Sequence, residues 1–255
     1  MELIDDSAIV VAGRDMGESD RLMTFVTSQH GKIRAVAKGA RRSKKRFLNA
    51  LEPCTLTGIK VMPPRTPGHL YRLDSAEIIE SYPAIRASVD NFMLASLCCE
   101  LTDLWVQEED PHEDIFELLK WFLKETCTGS SNLMCTLVFK TRLLSMAGYR
   151  QEWTRCVKCG TPPQGTRINF SMKTGGCLCT KCHTDSNTTE TVSAGTLRSL
   201  AFMDRTGLSA ISRLKMGKGA MNEAWQLLAA LHRYHLQRAP RCYSVMGEVI
   251  RKYLV

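Results

Sequence analysis

Lys32-Ile33-Arg34-Ala35-Val36-Ala37-Lys38-Gly39 carries the pattern from which the fold can be read. Ile33, Ala35 and Ala37 alternate with Lys32, Arg34, Val36 and Lys38, so one strand would turn an apolar row to a core and a basic row outward. Val36 is the apolar member of the outer row, and Gly39 ends the run. Working outward, Ile9-Val10-Val11, Leu22 to Thr27 and Leu56 to Val61 share this β-branched or alternating character, and Asp74 to Glu80 offers a fifth strand. Gly17, His30-Gly31 and the Pro63 to Gly68 stretch punctuate them. Short strands at this spacing between Ser7 and Tyr82 predict a small closed barrel such as an OB-fold, although an SH3-like barrel fits the spacing almost as well.

Beyond Pro83 the period becomes helical. Ile85, Val89, Phe92, Leu97, Leu101 and Leu104 trace one face of a long helix. Asp110-Pro111 followed by Glu113 and Asp114 reads as an N-cap, a proline at N1 and acids that suit the helix dipole, opening a helix that buries Ile115, Leu119 and Phe122. A third helix is expected from Ser131 to Ala147 with Gly148 at C′. Ser193 can cap a helix through Met203, and Ala224 to Arg238 reads as another, stopped by Pro240.

The 255 residues are 44% hydrophobic and 24% charged, ordinary for a globular chain. Lys and Arg outnumber Asp and Glu by 34 to 26, a net charge of +8 with a pI near 9.0, which suggests a polyanionic partner. The acidic start Met1-Glu2-Leu3-Ile4-Asp5-Asp6 does not read as a secretory signal, and no apolar run approaches the ~18 residues that would span a bilayer. A cytoplasmic protein without a membrane partner is expected.

Among the 11 cysteines, Cys98, Cys99, Cys127 and Cys135 lie in apolar helical patterns and read as small core residues. Cys156-Val-Lys-Cys159-Gly160 and Cys179-Thr-Lys-Cys182 form two CxxC knuckles at the spacing of a four-cysteine zinc site. The two-residue gap lets both thiolates of a knuckle reach one ion about 2.3 Å away. Cys156, Cys159, Cys179 and Cys182 are therefore the expected zinc ligands; Cys177 could replace Cys179, and His183 is a more distant substitute. Iron would also accept four thiolates, and an unligated or redox pair is the plainer alternative. Arg167 to Ser171 and Lys173 to Gly176 suggest a hairpin between the knuckles. Four cysteines close the shell, and no HExxH or HxE accompanies them, so the zinc is read as structural rather than catalytic.

Lys32, Arg34, Lys38, Arg41, Arg42, Lys44, Lys45 and Arg46 form a basic run without an acid. With Arg14 they are the candidate DNA-binding residues. The segment after Gly39 reads as a loop that can follow a phosphate backbone; a solvated loop without a ligand is the plainer reading. Five phosphate contacts on duplex DNA would make log K fall with log salt at a slope of roughly −4.5. Phe47 and Tyr71 could stack on bases, though lone aromatics in a barrel are more often core. Without a base-reading motif, binding is expected to be led by the backbone.

Arg14-Asp-Met-Gly17-Glu18-Ser19-Asp20-Arg21-Leu22, then Gly31-Lys32, Ala37-Lys38-Gly39-Ala40-Arg41-Arg42-Ser43 and Leu51-Glu52-Pro53, resemble the N-terminal barrel of the RecO family. Leu143-Leu144 through Gly148-Tyr149, the cysteine cluster and Arg233-Tyr234-His235-Leu236 continue the resemblance in order. Cys177 and the stretch from Arg241 to Met246 depart from it. The resemblance implies an α+β chain: an N-terminal OB-fold β-barrel (1–82), an α-helical domain (83–150 and 191–255) and an inserted zinc-ribbon-like module (151–190). It implies a non-enzymatic DNA repair and recombination mediator of the bacterial cytoplasm and nucleoid. Such a protein binds single- and double-stranded DNA, anneals complementary strands and works with RecR to load RecA onto DNA coated by single-strand-binding protein. It also implies a site for that coating protein's acidic C-terminal tail, for which Arg142 and Arg198 are candidates.

Two other classes compete. A zinc-ribbon RNA-binding or transcription-associated protein would use the same phosphate contacts. A Mg²⁺-dependent nuclease would need Asp15, Glu18 and Asp20 to converge, whereas Asp20 reads more simply as a local partner of Arg21 or Arg14.

Overall fold

In the computed structural model the expected strands appear as β1 (Ile4–Met16), β2 (Asp20–Thr27), β3 (Lys32–Ala37), β4 (Leu56–Met62) and β5 (Tyr71–Glu80). All residues are described except 1, 44, 67, 129–131, 184–188, 238 and 255. The strands close into a barrel in the order β1-β2-β3-β5-β4, with β3 parallel to β5 and the other pairs antiparallel. This order is OB-like. A register shift between Val10 and Ala12 lets β1 bend and pair with both β2 and β4.

The alternation in β3 is realised: Ile33, Ala35 and Ala37 are fully buried, Arg34 is exposed, and Lys32 and Val36 lie between. Their partners Phe25 and Met23 on β2, with Ile59, Val61 and Leu73, fill the barrel. Burying Phe25 contributes up to about 3 kcal/mol, and Phe25→Ala would cost about 3–5 kcal/mol because the closed sheet cannot collapse onto the hole.

The chain forms two compact units. The first comprises Met1–Asn132 and Pro240–Cys242, the second Leu133–Ala239 and Tyr243–Val255. In the first unit the barrel is followed by α1 (Pro83–Arg86), α2 (Val89–Trp105) and α3 (Glu113–Cys127). The single long helix expected from Ile85 is two: Tyr82 enters α1 in the left-handed conformation, and Ser88 accepts the Asn91 amide to open α2. Val89 is 74% exposed and Phe92 40%, whereas Leu97 and Leu101 are buried as expected, joined by Leu94 and Cys98. Neither Asp110 nor Pro111 begins α3; His112 precedes it without a side-chain cap, while Ile115, Leu119 and Phe122 are buried as expected. The late segment returns to this unit through Glu100 of α2, whose carboxylate accepts the amides of Arg241 (2.7 Å) and Cys242 (2.9 Å).

The second unit contains α4 (Asn132–Met146, from Leu133 onward), α5 (Ala194–Arg205), α6 (Lys218–Leu236), α7 (Met246–Leu254) and a sheet of β6 (Arg167–Ser171), β7 (Gly176–Leu178) and β8 (Thr189–Ser193) in the order β7-β6-β8. The expected hairpin is β6–β7; β8 is an addition. Ser193 caps α5 by accepting the Thr196 amide at 3.1 Å, as its position suggested. A fully buried cation, Lys140, sits with Nζ 3.8 Å from the Trp225 ring centroid. Its carbonyl contacts His232, which burial, and then Lys140, hold well below the usual histidine range. Among the described residues no helix is long and apolar enough to cross a membrane.

Candidate nucleic-acid interface and metal centre

The basic loop begins at a backbone anchor. Asp20, the first residue of β2, accepts the Gly39 amide at 2.8 Å and the Ser19 hydroxyl at 2.9 Å. The Gly39 amide is the main cause that holds its carboxyl below the usual range. Gly39 has φ +67°, a conformation that β-carbons disfavour, and so turns the chain out of β3. The Arg41 amide then returns to the Ser19 carbonyl at 3.0 Å. Asp20 therefore does organise this end of the barrel, but through Gly39 and not by pairing with Arg21 or Arg14. Arg21 lies instead 3.6 Å from Asp15 and 3.7 Å from Glu52.

The basic residues separate into two sets. Lys32 and Arg34, in the outer row of β3, face acids of the helical segment: Lys32 Nζ is 3.2 Å from Asp103 and Arg34 Nε 2.6 Å from Glu108. Arg41 lies 3.6 Å from Asp15, while Arg46 donates to the Lys38 carbonyl at 2.7 Å and covers the Phe47 ring. Arg14, Lys38, Arg42 and Lys45 are exposed and form no ion pair among the described residues. Lys44 lies outside the described residues. Phe47 is 4% exposed and belongs to the barrel core; Tyr71 is half-buried against that core, and its hydroxyl donates to Glu109 at 3.0 Å.

Strand register adds a residue that sequence reasoning missed. Arg14 stands opposite Leu22, Leu22 opposite Val36, and Val36 opposite Arg72 across the β3–β5 closure. Residues directly opposite share a face, so Arg14 and Arg72 end one outward row at the same end of the barrel as Lys38. Arg72 is exposed. No signal in the sequence could have placed it there, because the parallel pairing joins strands that are not neighbours in the chain.

In the second unit the Sγ atoms of Cys156, Cys159, Cys179 and Cys182 all lie within 4.8 Å of one another. Those of Cys159 and Cys179 are 3.7 Å apart. Sulfurs about 2.3 Å from a tetrahedral ion stand about 3.8 Å apart, so this donor set fits one zinc. The knuckle turns supply the closeness: the Gly160 amide returns to the Cys156 carbonyl at 2.8 Å with φ +74°, and the His183 amide to that of Cys179 at 2.9 Å. Burial pushes the Cys156 thiol up, yet the amides of Cys179, Cys159 and Lys158 aimed at its sulfur bring it down to about 6. Cys177 is outside the cluster: it is buried, and its thiol donates to the Trp153 carbonyl at 2.9 Å. The four cysteines are the group of potential metal ligands found among the described residues, and Asp15, Glu18 and Asp20 do not form another.

Of the two arginines considered for a partner's tail, Arg142 is turned inward, donating to the carbonyls of Met203 (2.9 Å) and Thr206. Arg198 is exposed on α5, at a cavity of about 230 Å³ lined also by Trp153, Pro163, Ile168 and Leu197. The buried Trp153 indole nitrogen has no hydrogen-bond acceptor among the described residues.

Comparison with known proteins agrees with this architecture. The family model for the Recombination protein O N terminal matches residues 1–82, and that for the Recombination protein O C terminal matches 86–242. The chain is 32% identical over 249 residues to the DNA repair protein RecO of Anaeromyxobacter sp. (strain K), covering 98% of each chain. It is 28% identical over 254 residues to the DNA repair protein RecO of Desulforamulus reducens, covering 100% of this chain and 98% of that one. A relative of the same name from Syntrophobacter fumaroxidans is 37% identical over 160 residues, 63% of each chain. With a barrel, a helical region and a four-cysteine cluster in the expected order, the chain belongs to the RecO family of DNA repair proteins.

Proposed function

We propose that this protein is a non-catalytic recombination mediator that holds single- and double-stranded DNA against the end of its barrel. The observation that carries the reading is the anchored turn Asp20–Gly39, from which Lys38, Arg42 and Lys45 extend without internal ion pairs, beside Arg14. Lys32, Arg34, Arg41, Lys44 and Arg46 belong to the same proposed DNA-binding set, the first two already engaged by Asp103 and Glu108 and so the weaker members. Two strands bound to one basic surface repel each other less, so complementary sequences can pair without bond chemistry. Strand annealing, cooperation with RecR and assistance to RecA on DNA coated by single-strand-binding protein follow from that role in a RecO family member. A cytoplasmic, nucleoid-associated location goes with it.

Structural zinc at Cys156, Cys159, Cys179 and Cys182 would tie β6 and β7 to the loops on either side, supplying cohesion and no reaction. Arg198 and its apolar cavity are the better seat for the coating protein's tail, since a carboxylate and an aromatic ring could both be met there. Arg142, committed to two carbonyls, would support the helix that bears the surface. The barrel-end reading is tested by a fluorescence-anisotropy salt titration with labelled single-stranded DNA. Substituting Lys38, Arg41 and Arg42 by alanine should flatten the salt dependence; identical slopes would exclude the barrel end as the DNA site.

A further inference from the structure

The mouth of the barrel holds a cavity of about 390 Å³, within the ~300–1,000 Å³ range of small-ligand sites. Asp15, Arg21, Arg41, Leu48, Asn49 and Glu52 line it. Asp15, Arg21 and Ala37 stand opposite one another in register, and Ala37 faces the core, so this row closes the interior and looks out of its end. Two guanidinium groups and two carboxylates meet there without closing on one another. Asp15 is 3.6 Å from both Arg21 Nε and Arg41 Nε, and Glu52 is 3.7 Å from Arg21, beyond the length of a hydrogen bond. Arg21 Nε is buried and has no hydrogen-bond acceptor among the described residues, although the Asp15 and Glu52 side chains are about half exposed.

This lining has no net charge, which argues against a phosphate: two carboxylates would face it. It suits a flat neutral group with both donors and acceptors on its edge. We infer that the cavity receives a single unstacked guanine from a bound DNA strand. Its adjacent N1–H and N2–H groups can both donate to the Asp15 carboxylate, and Arg21 and Arg41 can donate to O6 and N7, the pairing that guanidinium and guanine favour. Leu48, 62% exposed at the rim, offers an apolar face against which an extruded base can lie. Asn49, held in the left-handed conformation at φ 54°, adds an amide with both hydrogen-bonding senses. The exposed Lys38, Arg42 and Lys45 follow the strand's phosphates, so the inference rests on the DNA-binding reading above. The barrel would thus grip the backbone outside and test one base inside.

The experiment compares a short all-thymine strand, the same strand with one internal guanine, and one with inosine in its place, each titrated by anisotropy against the full chain. Guanine should tighten binding about tenfold, the effect of one good bidentate base contact, and inosine, which keeps O6, N7 and N1–H but lacks the N2 amino group, should recover only part of it. Asp15→Asn should bind the all-thymine strand at least as well, since a negative charge leaves the strand's path, yet lose the guanine preference. Leu48→Ser, at a position 62% exposed, removes the apolar face without adding charge and should weaken the preference too. Equal binding of all three strands, or a preference that survives in Asp15→Asn, would overturn the inference while leaving the DNA-binding reading intact. Failure of every strand to bind at low salt would overturn both. A free guanine mononucleotide is the other source of this chemistry; mononucleotide binding with no preference among strands would assign the cavity to it and reject the strand-borne base.

Discussion

The Asp20 carboxylate and the Gly39 amide, 19 residues apart in the chain and 2.8 Å apart in space, join the start of β2 to the turn that opens the basic loop. Ala substitution at Asp20 removes the acceptor and leaves the barrel core untouched. We expect amide exchange at Gly39 to quicken and affinity for single-stranded DNA to fall severalfold, read by NMR and anisotropy. Protection at Gly39 unchanged by the substitution would count against the anchor.

Arg72 provides a test of the barrel's register. Arg72→Ala should lower the steepness of the salt dependence on duplex DNA by about 0.9 if it contributes one phosphate contact. Lys60→Ala, whose side chain lies 3.6 Å from Asp5 on the β1–β4 side, should change the slope less.

Asp6 sets a pH dependence. Its side chain is buried, which raises its pKa, but the Ser28 hydroxyl, the His30 ring and the Gln29 amide more than offset this and hold it below the ordinary carboxylate value. The group is ionised and stabilising above its unfolded pKa of about 3.9, and the stabilisation is lost as pH falls through the lower folded value. Asp6→Ala should cost about 2 kcal/mol at neutral pH, where the Ser28 and Gln29 donors lose their acceptor. Denaturant titrations of both proteins should converge in acid; a constant gap down to the lowest pH would refute the assignment.

Cys177 and the four clustered cysteines should part company on substitution. Cys179→Ser should reduce bound zinc from about one equivalent per chain and lower the melting temperature, because a thiolate ligand is lost. Cys177→Ala should retain the metal and cost about 1 kcal/mol, the worth of its bond to the Trp153 carbonyl. Metal analysis by mass spectrometry with thermal melts distinguishes the two; loss of zinc in Cys177→Ala would revise the ligand set.

The barrel was legible because its signal is local. Ile33, Ala35 and Ala37 declare their buried row within one strand, and the CxxC spacing declares the knuckles within four residues each. What was hidden depends on contacts distant in sequence. Lys32 and Arg34 look like free cations until Asp103 and Glu108 are brought beside them. Cys177 competes with Cys179 on spacing, yet its thiol lies outside the four-cysteine cluster, against the Trp153 carbonyl. Strand β8, Thr-Glu-Thr-Val-Ser, buries Val192 while its other residues stay at least partly exposed, and so carries too little alternation to be read. Val89 and Phe92 fit a helical period but fall before the stretch of α2 that is covered.

The clamp of Glu100 on the amides of Arg241 and Cys242 bears on the order of manufacture. The barrel strands leave the ribosome before the helices that follow them, and their pairings are complete once β5 has emerged, so the barrel can form before α2 is made. The first unit nevertheless waits for a residue 141 positions further along the chain before Glu100 finds its partners. A nascent chain stalled before Pro240 should therefore carry a closed barrel with an unlatched α2.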